Sequence, residues 1–254
     1  TYQIHEKQKE ILNWIDKKFP LDNGWSINRY FYEVQMLAVN TFLDIELEGM
    51  YIDWEILKQY SKAMEDLIKE QEKEVLLHFG LKHGEISLES GAEFGALLEV
   101  AGWKDHGRSK NKPTENAIKF LNSKFNKKLT RKNGHYLTGD AQLDKWKKDG
   151  HKEIVEKIER YRELTTMMKT FIGKEEDSSG FFQYRKRDNK IHSTFGPMLN
   201  SSHRNNSRNP NLQNIPKHGD KAKWYRRIFC PPSKDFYIVE MDAAGFQLRI
   251  GAIY

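Results

Sequence analysis

The sequence predicts an α+β chain, mainly helical up to about residue 180 and mixed strand and helix beyond it. Three observations predict this. Apolar residues recur at helical spacing in several segments between residues 4 and 172. At Gly180 the texture changes to short runs rich in aromatic and β-branched residues around turn residues. One such run, Phe236-Tyr-Ile-Val-Glu-Met-Asp242, follows Pro231-Pro232 and reads as a buried strand; an apolar helical pattern from residue 243 follows it.

The elements follow in order. Residues 4–18 place Ile4, Ile11, Leu12 and Ile15 on one side of a helix. Leu21-Asp-Asn-Gly-Trp25 is a turn, and residues 29–48 form a second helix that Gly49 ends at the C′ position. Tyr51-Ile-Asp53 is an extended connector, with Asp53 as N-cap of a long helix over 54–79. Ser87–Val100 reads as a helix capped near Ser87 or Ser90. Residues 104–116, rich in glycine, lysine and asparagine, form a loop, with a short helix over Asn116–Phe125. Thr138-Gly-Asp140 opens another helix, and 151–172 form a long one on which Arg162 and Lys169, seven apart, share a face. Phe181–Arg185 and Lys190–Phe195 read as strands around a turn at Arg187-Asp-Asn189.

Composition narrows the function classes. A chain of 254 residues holds one large domain or two small ones. No run approaches the roughly 18 apolar residues of a membrane span. The single cysteine, Cys230, excludes an internal disulfide and fits a reducing compartment. Thr1 is not an initiating residue, so the expectation is a chain that starts within a longer protein or after processing. The net charge is +6, but residues 104–135 carry ten Lys/Arg against two Asp/Glu, and residues 181–234 twelve against two. These blocks of +8 and +10 leave −12 for the remainder. Two basic blocks on an otherwise acidic chain fit a polyanion partner, and a solvated lysine-rich surface is the alternative. There is no Gly-x-x-x-x-Gly-Lys loop, no Gly-x-Ser-x-Gly and no Cys/His zinc spacing.

The motifs are Asn209-Pro-Asn-Leu-Gln-Asn-Ile-Pro216, Arg226-Arg-Ile-Phe229 and Asp242-Ala-Ala-Gly-Phe-Gln-Leu-Arg249. Together they resemble family A DNA polymerases, the last segment being similar to their motif A in its phage T7-type form. The resemblance extends back through Lys190-Ile-His-Ser193 and Arg204, through Tyr161-Arg-Glu-Leu164 and to Glu46-x-Glu-Gly-Met-x-Ile-Asp53. It implies a helical thumb over 54–180 with a basic insertion at about 104–135. Residues 1–53 would join an upstream exonuclease-like region to it, and 181–254 would be the first part of a palm. Tyr2-x-x-x-Glu6 is too short a likeness to a proofreading exonuclease motif to assign nuclease activity.

By the resemblance, Asp242 is the catalytic carboxylate and binds metal together with the backbone carbonyl of Ala243. A lone aspartate ahead of a helix otherwise reads as an N-cap. The cofactor implied is Mg²⁺, two ions in the complete site, with Mn²⁺ as an alternative; such ions sit about 3.5–4 Å apart on the attacking and leaving oxygens. Gln247 stands where the family carries a glutamate that screens the sugar 2′-position, keeping its size and losing its charge. His218 lies near a position where many members place an arginine, and Thr166 and Met168 replace expected basic residues. DNA contacts are implied for Arg162, Lys169, Arg204, Asn211, Gln213, Asn214, Arg226 and Arg249; for the asparagines, turn chemistry is the competing reading.

The implied partners are primer-template DNA and dNTP. Residues 104–135 could recruit a processivity factor, grasp DNA or be disordered. The family's fingers helix and His-Asp-Glu turn are absent from this sequence. The expectation is therefore a polymerase part in the cytoplasm of a bacterium or phage-infected cell, inactive until a C-terminal chain with fingers and the remaining palm completes it. The alternative is a non-catalytic DNA-binding or processivity subunit.

Overall fold

Helices form where an apolar stripe meets a capping residue. The computed structural model describes residues 2–20, 25–130, 135–196, 204–216 and 220–241, in two compact units. One combines residues 1–57 with 181–254, and the other is 58–180.

In the first unit, α1 spans Tyr2–Lys18 and α2 Ile27–Tyr30; a widened turn at Phe31–Gln35 carries the chain into α3, Met36–Glu48. The Asp16 carboxylate accepts hydrogen bonds from the Ile27 and Asn28 amides at 2.6 and 3.2 Å, satisfying donors that open α2. Gly49 stops α3 with φ of 68°, a left-handed conformation that glycine adopts without a Cβ clash. β1, Met50–Tyr51, follows, and Asp53 then caps α4, Trp54–His78, by accepting from the Ile56 amide at 2.9 Å. β2, Lys190–Ile191, pairs antiparallel with β1 in the register Met50–Ile191 and Tyr51–Lys190. β3, Thr194–Gly196, pairs antiparallel with β4, Asn206–Arg208. After α9, Asp220–Arg227, the chain returns beside residues 51–53: Asp53 N donates to Ile228 O at 2.8 Å and Cys230 N to Tyr51 O at 3.2 Å. Ile52, Phe181, Ile191, Tyr225 and Ile228 are buried here.

The second unit has its own core. Ser90 and Thr114 cap α5, Gly91–Val100, and α6, Glu115–Phe125, by accepting from the Glu93 and Ala117 amides. α7 spans Asp140–Trp146; α8 spans Lys152–Met167 and continues through a widened turn at Met168–Ile172. Leu97, Leu121, Leu143, Trp146 and Val155 are fully buried in one cluster. Trp146 meets the Trp103 ring edge-on at 5.4 Å and donates its Nε1–H to Lys104 O at 2.9 Å, so its one polar atom is satisfied.

Three expected strands come out differently. Phe181–Arg185 is no strand: Gly180–Tyr184 forms a 3₁₀ turn. Phe181 and Phe182 are consecutive and both buried, which a strand, facing alternate sides, does not favour. Lys190–Phe195 is divided between β2 and β3, each with a different partner. Phe236–Met241 has no regular secondary structure and lies in no sheet among the described residues, and it is exposed rather than buried. Its alternation persists, with Tyr237 and Val239 at 87% and 75% exposure against 58% and 55% for Phe236 and Ile238. The turn residues 21–24 and the helix expected from residue 243 lie outside the described residues.

Candidate nucleic-acid interface

Two motifs about 140 residues apart in sequence are held together in the first unit. Lys190 Nζ donates to the Glu48 carbonyl at 2.8 Å and its carboxylate at 2.9 Å, and lies 4.4 Å from the centre of the Tyr51 ring. The hydrogen bond and charge of Lys190 hold the Glu48 carboxyl below its usual range. His192 places Nδ1 2.6 Å from the Glu46 carbonyl and Nε2 3.0 Å from Asp188, and the Phe195 amide donates to the Glu46 carboxylate. Gly49 is required here a second time: a Cβ on it would lie 2.7 Å from the His192 ring. The end of α3 and the Lys190–Ser193 stretch thus form one clasp.

The clasp continues into the loop of the Asn209–Pro216 motif. Ser193 and Ser207 are both buried, and their hydroxyls lie 2.8 Å apart. Ser193 Oγ also reaches the Pro210 carbonyl at 2.7 Å, and Ser207 Oγ accepts from the Leu212 amide at 2.8 Å. This network fastens the loop to the β3–β4 pair. Asn211 caps the turn Leu212–Asn214, its Oδ1 accepting from the amides of Gln213 and Asn214 at 3.1 and 3.2 Å. Its carbonyl oxygen therefore does turn chemistry. The side chains of Gln213 and Asn214 are exposed.

Arg204, Gln213 and Arg226 line one open groove of about 1190 Å³, together with Leu212, Ile215 and Phe229 and the Ile238–Met241 segment. Arg226 Nη1 donates to Glu240 Oε2 at 3.1 Å, which ties that segment to α9. Arg204 is exposed and has no carboxylate partner among the described residues. The groove thus presents a cation and an amide over an apolar floor. Asp242, Ala243, Gln247, Arg249 and His218 lie outside the described residues. Among the described residues no group of three or more His, Cys, Asp or Glu is placed to hold a metal ion.

In the second unit the two cations expected on one face of α8 are already engaged. Arg162 donates to the Thr138 carbonyl and lies 5.6 Å from the centre of the Phe94 ring. Burial lowers the proton affinity of its guanidinium, against the pull of Asp140 and Glu159. Lys169 Nζ lies 2.6 Å from Glu89 Oε2. The basic block differs. Lys110, Lys112, Lys119, Lys124, Lys127 and Lys128 are exposed, with no carboxylate partner among the described residues. Neither aromatic of residues 104–130, Phe120 and Phe125, is fully exposed. Such a lobe suits backbone phosphates rather than base stacking.

Sequence reasoning missed the Ser193–Ser207 network and the acceptors on Arg162 and Lys169. The serines flank recognisable motifs, but nothing in their spacing shows that they meet.

A family model described as DNA polymerase family A matches residues 54–254. DNA polymerase I of Synechocystis sp. is 29% identical over 201 residues, covering 77% of this chain and 19% of that protein. DNA polymerase I of Bacillus subtilis is 24% identical over 221 residues, 87% of this chain and 21% of that protein. The chain spans about a fifth of the length of these curated relatives. Among solved structures, the POL domain of Pol1 from M. smegmatis, in complex with DNA primer-template and dNTP, aligns with a TM-score of 0.57. It is 21% identical and covers 79% of this chain and 30% of that one, a likeness of fold.

Proposed function

The chain belongs to DNA polymerase family A, and we propose that it is a part of a template-directed DNA polymerase that binds primer-template DNA and supplies one metal-binding aspartate. In this reading the second unit acts as the thumb and the first contributes the beginning of the palm. The observation that carries it is the joining of Glu46–Asp53, Lys190–Ser193 and Asn209–Pro216 in one hydrogen-bonded body beside Arg204, Gln213 and Arg226. The fold neighbour's complex with primer-template and dNTP supports these as the partners.

The chemistry follows from the residue types. Arg204 and Gln213 would donate to minor-groove acceptors common to all base pairs, which checks pairing geometry without reading sequence. The free lysines of the α6 lobe would add sequence-independent affinity for phosphates. Asp242 and the Ala243 carbonyl would hold Mg²⁺, which when bound stabilises the attacking and leaving oxygens of nucleotidyl transfer. Gln247 would meet the sugar with an amide in place of a carboxylate.

The test is primer extension with Mg²⁺. The purified chain alone should extend nothing, and adding the matching C-terminal polymerase fragment should restore synthesis. Asp242→Ala should abolish activity of the pair while template-primer binding stays within about twofold. Extension by the chain alone, or activity retained in Asp242→Ala, would sink this reading. The free lysine lobe favours a second one, a non-catalytic DNA-binding or processivity subunit. It predicts duplex binding but no stable complex and no synthesis with any C-terminal fragment.

A further inference from the structure

We infer that Glu89 competes with nucleic-acid phosphate for Lys169, so that an acidic residue of the chain itself limits how tightly the α8 face grips DNA. The inference rests on the DNA-binding reading above. Glu89 Oε2 lies 2.6 Å from Lys169 Nζ, and the two side chains are 45% and 62% exposed. A carboxylate oxygen at that distance occupies the place a phosphate oxygen would take on the same ammonium, as an acceptor of the same charge. The pair lines a cavity of about 340 Å³ with Thr165, Lys69, Lys174 and Ser179.

Local structure favours the carboxylate at this position. Glu89 immediately precedes Ser90, the N-cap of α5, where the helix dipole stabilises a negative charge. Lys174, in the same cavity, is likewise held by Glu65. The contrast with the α6 lobe is sharp: its six lysines have no such partner among the described residues. A phosphate approaching Lys169 meets a charge that Glu89 already neutralises, and brings that carboxylate beside a polyanion. Glu89 therefore opposes binding both by competition and by repulsion. The pair is exposed, so the effect is modest, on the order of two- to fivefold.

The test is primer-template affinity by fluorescence anisotropy across a salt series. The wild-type chain is compared with Glu89→Gln, Lys169→Gln, the double variant, and Glu70→Gln as a control of equal charge change on the exposed face of α4. Glu89→Gln should bind about two- to fivefold more tightly than Glu70→Gln, with the salt slope steeper by about 0.9 for one added phosphate contact. The gain should vanish in the Lys169→Gln background. A gain no larger than that of Glu70→Gln, or one that survives without Lys169, overturns the inference and leaves DNA binding standing. Absence of binding by every protein, wild type included, overturns both.

Discussion

Ser193 and Arg162 illustrate how single side chains set the local order. The Ser193 hydroxyl, 2% exposed, faces Ser207 Oγ and the carbonyls of Pro210 and Arg208. Replacing it with alanine removes one buried hydroxyl from this network and leaves Ser207 Oγ as the side-chain donor to the Pro210 carbonyl, which costs about 1 kcal/mol. Ser193→Ala should lower the free energy of unfolding by that amount and speed hydrogen exchange of the Leu212 amide, whose acceptor Ser207 loses its neighbour. Unchanged exchange would mean that the loop is held by other contacts. Arg162 teaches the complementary lesson. A basic residue on a helix face reads from sequence as a contact for DNA, yet here a carbonyl and an aromatic ring occupy its guanidinium.

At the scale of elements, the clasp between the end of α3 and β2 gives the first unit a pH dependence. Lys190 lowers the Glu48 pKa by hydrogen bond and charge, and the Lys190 amide, with His192, lowers that of Asp188. Carboxyls whose folded pKa is depressed bind more protons unfolded than folded. Their stabilisation is complete above the unfolded value, about 4, and is lost as pH falls below it. Thermal denaturation of the chain should therefore show a falling acid limb below roughly pH 4, and Glu48→Gln should flatten part of it. An identical limb in Glu48→Gln would place the dependence elsewhere. Such links are also where the sequence stopped being legible. Asp53, Ser90 and Gly49 could be read as caps because capping is settled within about four residues. The long helices could be read from their stripes. The partners of Glu46 and Glu48 lie more than 140 residues away, and no local pattern encodes them. Phe181–Arg185 was misread because its aromatic content fits a strand, whereas burial of both Phe181 and Phe182 fits a tight turn.

Over the whole molecule, charge is divided by use. Carboxylates neutralise Lys58, Lys147, Lys157, Lys169 and Lys174, while the six exposed lysines of the α6 lobe have no carboxylate partner among the described residues. The two units each have buried side chains of their own. Among the described residues no helix is long and apolar enough to cross a membrane. One feature governs how the purified chain behaves in the tube. Phe236–Met241 exposes aromatic and β-branched side chains with only one charge and pairs with no strand among the described residues. An exposed apolar segment of this composition favours pairing with its own copies. Light scattering should rise steeply with protein concentration, and Val239→Lys, placing a charge on the outward face, should suppress it; scattering unaffected by that change would locate the self-association elsewhere. On this expectation, the storage and crystallisation of the chain depend on these six residues as well as on its net charge.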